Sequence, residues 1–339
     1  MTLIDVIGSE RKSRPNSIGI LLLNTGTPDD PTPSAVRRFL AEFLSDKKVI
    51  YYPRWLWLPL LYGVILNVRP RRSARMYHRI WGAEGSPLLT ITQSLRDKLH
   101  VQLADSIPGY VQVEFAMRYG NPSIPNVLSK FQQSRIDHLI ILPLFPQFSG
   151  TTTGTTVQRV FDSLKSWNRL PSIQVISDYH QHPAYIGTLA ESIRSNATSY
   201  DKLLFSFHGI PQRYVDAGDP YETQCRRSAS LVAEKLGLQP QGWQVAFQSR
   251  FGPEAWTQPY TDQVLESLGN QGVAKLRVVC PGFAIDCLET LDEIEHEGRK
   301  TFQLAGGGEF SYIPALNDTN AHVNALTEII LNSCYAHVA

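Results

Sequence analysis

Four cysteines in 339 residues, at Cys225, Cys280, Cys287 and Cys334, are too few for a disulfide scaffold, and none forms a CxxC pair. That argues against a structural zinc site, and the scatter fits a reducing compartment. Charge of one sign is also missing: 32 Lys and Arg against 31 Asp and Glu leave a net +1. With no long Lys/Arg run, nothing recommends nucleic acid as a partner. No G-x-G-x-x-G follows an apolar run, and no P-loop lysine occurs, so the usual signatures of nicotinamide oxidoreductases and P-loop NTPases are absent. Met1–Lys12 has no basic region ahead of an apolar run and does not read as a secretory signal. A transmembrane helix needs about 20 apolar residues. The most apolar stretch, Trp55–Leu66, is shorter and carries Pro59 and Gly63.

What is present is a 42% apolar, 19% charged chain, the composition of a folded globular protein long enough for two domains. Apolar β-rich runs bounded by Gly, Pro or Asn recur at Ile18–Leu23, Val111–Phe115, His138–Leu144, Ile173–Ile176, Leu203–Phe207, Trp243–Phe247, Leu276–Val279 and Phe310–Ile313. Helix-period segments lie between them. Thr92–Ala104 sets Leu95, Leu99 and Leu103 on one face; Arg226–Leu236 stops at Gly237, and Asp262–Leu268 at Gly269. Strands alternating with helices predict parallel sheets built from right-handed crossovers. Eight strands divide four and four, with the break at the loop-like Trp167–Pro171, which predicts two similar doubly wound α/β domains. A single eight-stranded barrel is the rival, disfavoured by irregular spacing and the long insertion after the first strand. That early helix-rich insertion packing as a unit of its own stays open.

In open α/β sheets chemistry gathers past the carboxyl ends of strands. That selects Asn24–Pro28, Pro146–Thr156, His208–Pro211 and Pro281–Glu289. His208 follows a strand and precedes the turn residues Gly209 and Pro211. It reads equally as a base or metal ligand facing a crevice and as a histidine that merely ends a strand. Glu289, Glu293 and Glu297 stack at i, i+4 and i+8 if helical, an arrangement that favours a cation along the row; a solvated acidic face is the plainer reading. Leu288, Leu291 and Ile294 would form its core side. Thr151–Thr156 has the look of an anion-cradling loop but reads better as the cap of the next helix. Gly306–Gly308 precedes a strand and is weak. His180 and His182 read as a solvated pair. The Trp55–Leu66 run ends at Arg69, Arg71, Arg72 and Arg75; it is either a lip that touches a membrane or walls a pocket, or a buried core helix.

Several blocks together are similar to one family. Phe205-Ser-Phe-His-Gly-Ile-Pro211 with Ala217-Gly-Asp-Pro-Tyr221, Phe247-Gln-Ser-Arg-Phe-Gly-Pro253 with Trp256, and Pro281–Leu291 resemble the ferrochelatase signature. Gly19–Pro28, Gly85-Ser-Pro87, Arg118-Tyr119 and Leu144–Ser149 also match, in order along the chain up to Asn317. The resemblance implies two Rossmann-like, chelatase-like domains with four-stranded parallel sheets, residues 1–170 and 171–315. Residues 316–339 would return to pack on the first, and a porphyrin would lie in the cleft between. It implies His208 and Glu289 as the catalytic pair, with Glu293 and Glu297 continuing an acidic, metal-handling line. It implies Arg69, Tyr77 and Ser86 around a porphyrin propionate, and Thr25, Arg118, Tyr119 and Trp256 as further pocket positions.

The implied reaction is a lyase step, the insertion of Fe²⁺ into protoporphyrin IX with release of two protons, the last step of haem synthesis. Iron is then substrate; no tightly bound cofactor is expected. Many relatives carry His where this chain has Cys287, which leaves that position without an assigned role. Some bind a [2Fe–2S] cluster through C-terminal cysteines, where this chain offers only Cys334, so no cluster is expected. The expected protein is a cytoplasmic monomer with peripheral membrane contact through residues 51–66. A chelatase for coproporphyrin or cobalt, and a non-catalytic tetrapyrrole carrier, remain as alternatives.

Overall fold

A computed structural model describes residues 17–196 and 199–335; the Met1–Lys12 segment read above and residues 336–339 lie outside them. The chain runs β1 (Ser17–Gly26), α1 (Pro33–Leu44), α2 (Arg54–Leu60), a π-helical turn (Leu61–Ile65), α3 (Leu66–Ile80), α4 (Pro87–Ser106), β2 (Tyr110–Tyr119), α5 (Ile124–Ser134), β3 (His138–Pro143), a second π turn (Gly150–Gly154), α6 (Thr155–Leu164) and β4 (Ser172–Val175). It continues as α7 (Pro183–Ser195), β5 (Lys202–His208), α8 (Gln212–Asp216), α9 (Tyr221–Leu236), β6 (Trp243–Gln248), α10 (Thr261–Asn270), β7 (Lys275–Val279), a long π-helix (Glu289–Gly298), α11 (Arg299–Leu304), β8 (Glu309–Ile313) and α12 (Asn320–Tyr335).

All eight apolar runs are strands. They form two four-stranded sheets of order β2-β1-β3-β4 and β6-β5-β7-β8, parallel throughout. The barrel is thereby excluded. The shared order places a topological switch point between β1 and β3 and another between β5 and β7. Both faces of β1 are buried, as a parallel sheet covered by helices requires. Ile20 and Leu22 point into one core with α4, and Leu21 and Leu23 into another with α5 and α6. The first of these cores does not stop at the first sheet. It runs through α4, α7, α9 and α12 to Phe205, Phe207, Val245 and Val279 of the second. A separate cluster of Val36, Phe39, Leu40, Trp57, Leu61, Leu66, Ala74 and Tyr77 makes α1–α3 a helical unit of its own.

Four expectations are corrected. The break is not at Trp167–Pro171: that loop joins α6 to β4, whose Leu139↔Ile173 register ties it to β3. The first sheet therefore extends to Val175, past residue 170. Gly269 does not stop α10 but lies inside it; a Cβ there would stand 2.5 Å from the Phe302 carbonyl oxygen and 2.6 Å from Ala305 Cβ, so glycine is needed for packing against α11. The acidic segment is not an α-helix but a π-helix, with its wider i→i+5 turn. Its core side is Thr290, Asp292, Ile294 and Gly298, while Leu288 and Leu291 are half-buried. α12 packs on both α4 and α7, with Gln102 Nε2 donating to Asn324 Oδ1 (2.9 Å) and Gln174 Nε2 to the Ser333 carbonyl (2.9 Å). Among the described residues no helix is long and apolar enough to cross a membrane.

Candidate active site

The carboxyl ends of the four central strands face one cleft. Asn24–Thr27 after β1, Leu144, Phe145 and Gln147 after β3, His208–Pro211 after β5, and Gly282–Ile285 after β7 line a space of about 1450 Å³, counted out to its open mouth. Gly26 is what lets β1 end there. Its φ of +114° is left-handed, and a Cβ would collide with the Tyr119 carbonyl. Apolar Phe39, Leu40, Phe43 and Val49 of the helical unit form the opposite wall, with Arg69, Ser73 and Tyr77 of α3.

His208 sits at the end of β5, half-buried, its ring centroid 6.5 Å from those of Trp256 and Phe283. Its Nδ1 lies 2.6 Å from the Gly209 carbonyl oxygen, which can only accept. Nδ1 therefore carries the proton and Nε2 is the basic atom. Glu289, the first residue of the π-helix, lines the same cleft. Its main-chain carbonyl accepts from Gln248 Nε2 (3.1 Å), which ties the helix start to the end of β6. Cys287 is buried beside it, and burial, then the Glu289 charge, push its thiol well above the usual cysteine range.

Arg69, Tyr77, Ser86 and Thr25 also line the cleft. Burial pulls the Arg69 guanidinium down from its usual value, and the facing Glu289 carboxylate opposes that shift. Burial, then the same carboxylate, pushes the Tyr77 hydroxyl well up. Thr27 Oγ1 donates to Ser86 Oγ (2.9 Å), completing a polar corner beside Tyr77.

Glu293 is one step further along the π-helix. Burial raises its carboxyl above the usual range, against a hydrogen bond from Ser249 and the positive pull of His208. Ser249 Oγ donates to it at 2.5 Å from a left-handed backbone position, φ 66°. Glu297 lies at the surface end, 3.5 Å from Arg79 Nη2. Glu293, Glu297 and Asp292 line an open groove with Arg72, Arg75 and Arg79. The acidic line thus leads from the cleft to a surface rich in arginine. Among the described residues no group of three or more His, Cys, Asp or Glu is placed to hold a metal ion together.

Arg118 and Tyr119 are not among the cleft-lining residues. At the end of β2 they hold Asp46, whose Oδ2 accepts from Arg118 Nη2 (2.5 Å), Tyr119 OH (2.9 Å) and Thr155 Oγ1 (2.5 Å). They brace the loop between α1 and α2 instead. The rim of the cleft carries a second brace. The Arg213 guanidinium lies 5.7, 5.3 and 4.9 Å from the ring centroids of Tyr51, Tyr52 and Tyr214, bonds Glu254 Oε2 (2.7 Å) and donates to the Tyr51 carbonyl (3.0 Å). Tyr214 OH donates to the Val49 carbonyl (3.3 Å). This joins the start of the lip to the loop that carries Trp256.

The lip itself is largely exposed: Tyr51, Trp55, Leu56, Leu60, Tyr62, Val64 and Val68 face outward. Trp57 is different, buried, with Nε1 donating to the Leu44 carbonyl (2.7 Å). Thr151–Thr156 is not a capping loop but part of the second π turn and the start of α6. The cap is Ser149, whose Oγ accepts from Thr151 N (3.2 Å), and the anion there is the chain's own, Asp219 Oδ2 accepting from Gly150 N (2.8 Å) and Ser149 Oγ (2.9 Å). His180 and His182 are not a solvated pair. His180 is buried against Asp178 (2.6 Å), and His182 caps α7. Sequence reasoning missed Phe283, Ser249, Arg79 and Asp292; Arg79 carried no local signal because its partner is 213 positions away.

Two parallel sheets facing a shared cleft are a chelatase-like arrangement. The sirohydrochlorin chelatase SirB from Bacillus subtilis subspecies spizizenii, in complex with cobalt, superposes with a TM-score of 0.52 over 94% of this chain and 95% of its own, at 10% identity. CbiX, the terminal enzyme of sirohaem synthesis in denitrifying bacteria, gives 0.52 over 93% and 98%, at 13% identity. Within that class, the ferrochelatase family model matches residues 17–334. The ferrochelatase of Thioalkalivibrio sulfidiphilus is 48% identical over 95% of this chain and 88% of its own length. Ferrochelatase 2 of Shewanella oneidensis is 46% identical over 92% and 96%. The chain belongs to the ferrochelatase family and is a metal-inserting tetrapyrrole chelatase of haem synthesis.

Proposed function

We propose that this chain inserts Fe²⁺ into protoporphyrin IX, releasing two protons to form protohaem. The observation that carries the reading is one cleft lined by His208 and Glu289 together with Arg69, Tyr77 and Ser86. A porphyrin is an amphipathic disc, and the cleft offers apolar walls for its faces and a guanidinium with two hydroxyls for a propionate. Insertion requires the loss of two pyrrole N–H protons and a bent macrocycle whose nitrogens point at the metal. Binding energy from the propionate and the ring faces can hold that bent form.

His208 Nε2 takes a pyrrole proton, and Glu289 receives it. Glu293 continues the relay; a carboxyl raised by burial holds a proton more readily than an exposed one. A pair of groups, rather than a closed ligand cage, suits a metal that must be passed on. The chain supplies no resident cofactor in this reading. Protoporphyrin partitions into membranes, and the exposed lip at residues 51–66, flanked by Arg71, Arg72 and Arg75, is suited to rest on one. The protein then works as a cytoplasmic monomer at the membrane surface.

The test is anaerobic mixing of purified protein with protoporphyrin IX and Fe²⁺, followed by absorbance as the free base becomes metalloporphyrin. Wild type turns over, while His208→Ala and Glu289→Gln each lose about 100-fold or more in kcat. Binding of porphyrin without turnover by the wild type would favour a carrier. Faster turnover of coproporphyrin, or of Co²⁺, would move the specificity to those substrates.

A further inference from the structure

Asp292 occupies a core position of the π-helix with its side chain fully buried, and Arg79 of α3 meets both of its oxygens: Nε to Oδ1 at 2.6 Å and Nη2 to Oδ2 at 3.0 Å. The two residues come from opposite halves of the chain. A bidentate guanidinium–carboxylate contact fixes both the separation and the rotation of the groups that carry it. Only the Asp292 side is buried, Arg79 being 45% exposed, and an apolar pair of similar volume would hold the two helices together about as well, because the desolvation of the carboxylate offsets most of the attraction. What the apolar pair would lack is direction.

Direction matters at this place. Arg79 follows Tyr77 on α3, which also carries Arg69. Asp292 lies between Glu289 and Glu293 on the π-helix. Arg69 and Tyr77 already sense the Glu289 charge across the cleft. We propose that Arg79 and Asp292 are a positioning pair, which sets where Glu289 stands relative to the propionate-holding wall. The proposal rests on the chelatase reading above. Neither residue touches the porphyrin. They act by holding the proton-accepting carboxylate at one height over a disc anchored on the other wall.

The experiment compares wild type, the double variant Arg79→Met/Asp292→Leu and the single variant Arg79→Lys. Melting temperature, porphyrin binding by fluorescence, and kcat and KM are measured on each. The double variant is expected to melt close to wild type and to bind porphyrin within about twofold, while kcat falls between about 10- and 100-fold, the cost of displacing a reacting group by a fraction of an ångström to an ångström. Arg79→Lys keeps the charge without the fork and is expected to fall between the two. A double variant with intact melting, intact porphyrin binding and wild-type kcat overturns the proposal. Should the double variant fail to fold, wild-type kcat in Arg79→Lys overturns it equally. A wild type that binds porphyrin without turnover instead removes the chelatase reading, and the pair's positioning role with it.

Discussion

His322, on α12, is a buried base with one ring nitrogen unanswered. Nδ1 bonds the Asn317 carbonyl (2.5 Å), and Nε2 has no partner. Burial pushes its pKa down to about 4, because protonation would place an uncompensated charge in the core. The unfolded chain takes up this proton near pH 6.5, the folded one only near 4. Stability from this residue is therefore complete above pH 6.5, falls by up to about 1.4 kcal/mol per unit as pH drops, and levels below 4. His322→Gln removes the effect. Urea midpoints of variant and wild type should converge between pH 7 and 4; a constant gap would refute the assignment. At this scale the sequence told where a residue stands when that depends on local pattern alone. His208 follows from its place at a strand end. Arg118 and Tyr119 were legible as a motif but not as a network, since Asp46, which they hold, lies 72 and 73 positions away.

Among the elements, all eight strands were legible, because buried parallel strands must be short, continuous apolar runs. The three π-helical segments were not. Sequence periodicity registers a helix, but an i→i+5 turn depends on what packs against it. The Glu289–Gly298 segment therefore turned a different face inward, with Asp292 where a leucine was expected. The lip is the other case. Its run of apolar residues was legible, but which of them face inward was not: Trp57 is core and Trp55 is surface. The proposed membrane contact accordingly belongs to Trp55 and Leu60. A Trp55→Ser/Leu60→Ser variant should sediment with anionic liposomes several-fold less than wild type while its melting temperature stays within about 2 °C, as befits exposed positions. Equal sedimentation would count against the lip as the contact.

For the molecule as a whole, the Arg213 brace joins the lip to the Trp256 loop across the rim of the cleft. A guanidinium against three tyrosine rings with a partly exposed glutamate is worth about 1–2 kcal/mol. Arg213→Gln should therefore speed porphyrin dissociation about tenfold in stopped-flow fluorescence. An unchanged rate would mean that the brace does not govern release. That such a brace governs the rim follows from the apolar core described earlier, which passes unbroken from one sheet to the other through α4, α7, α9 and α12. Two halves with a common interior have no joint about which to swing. The jaws of this vice are cast in one piece, so on the proposed reading the passage of a disc falls to the lips.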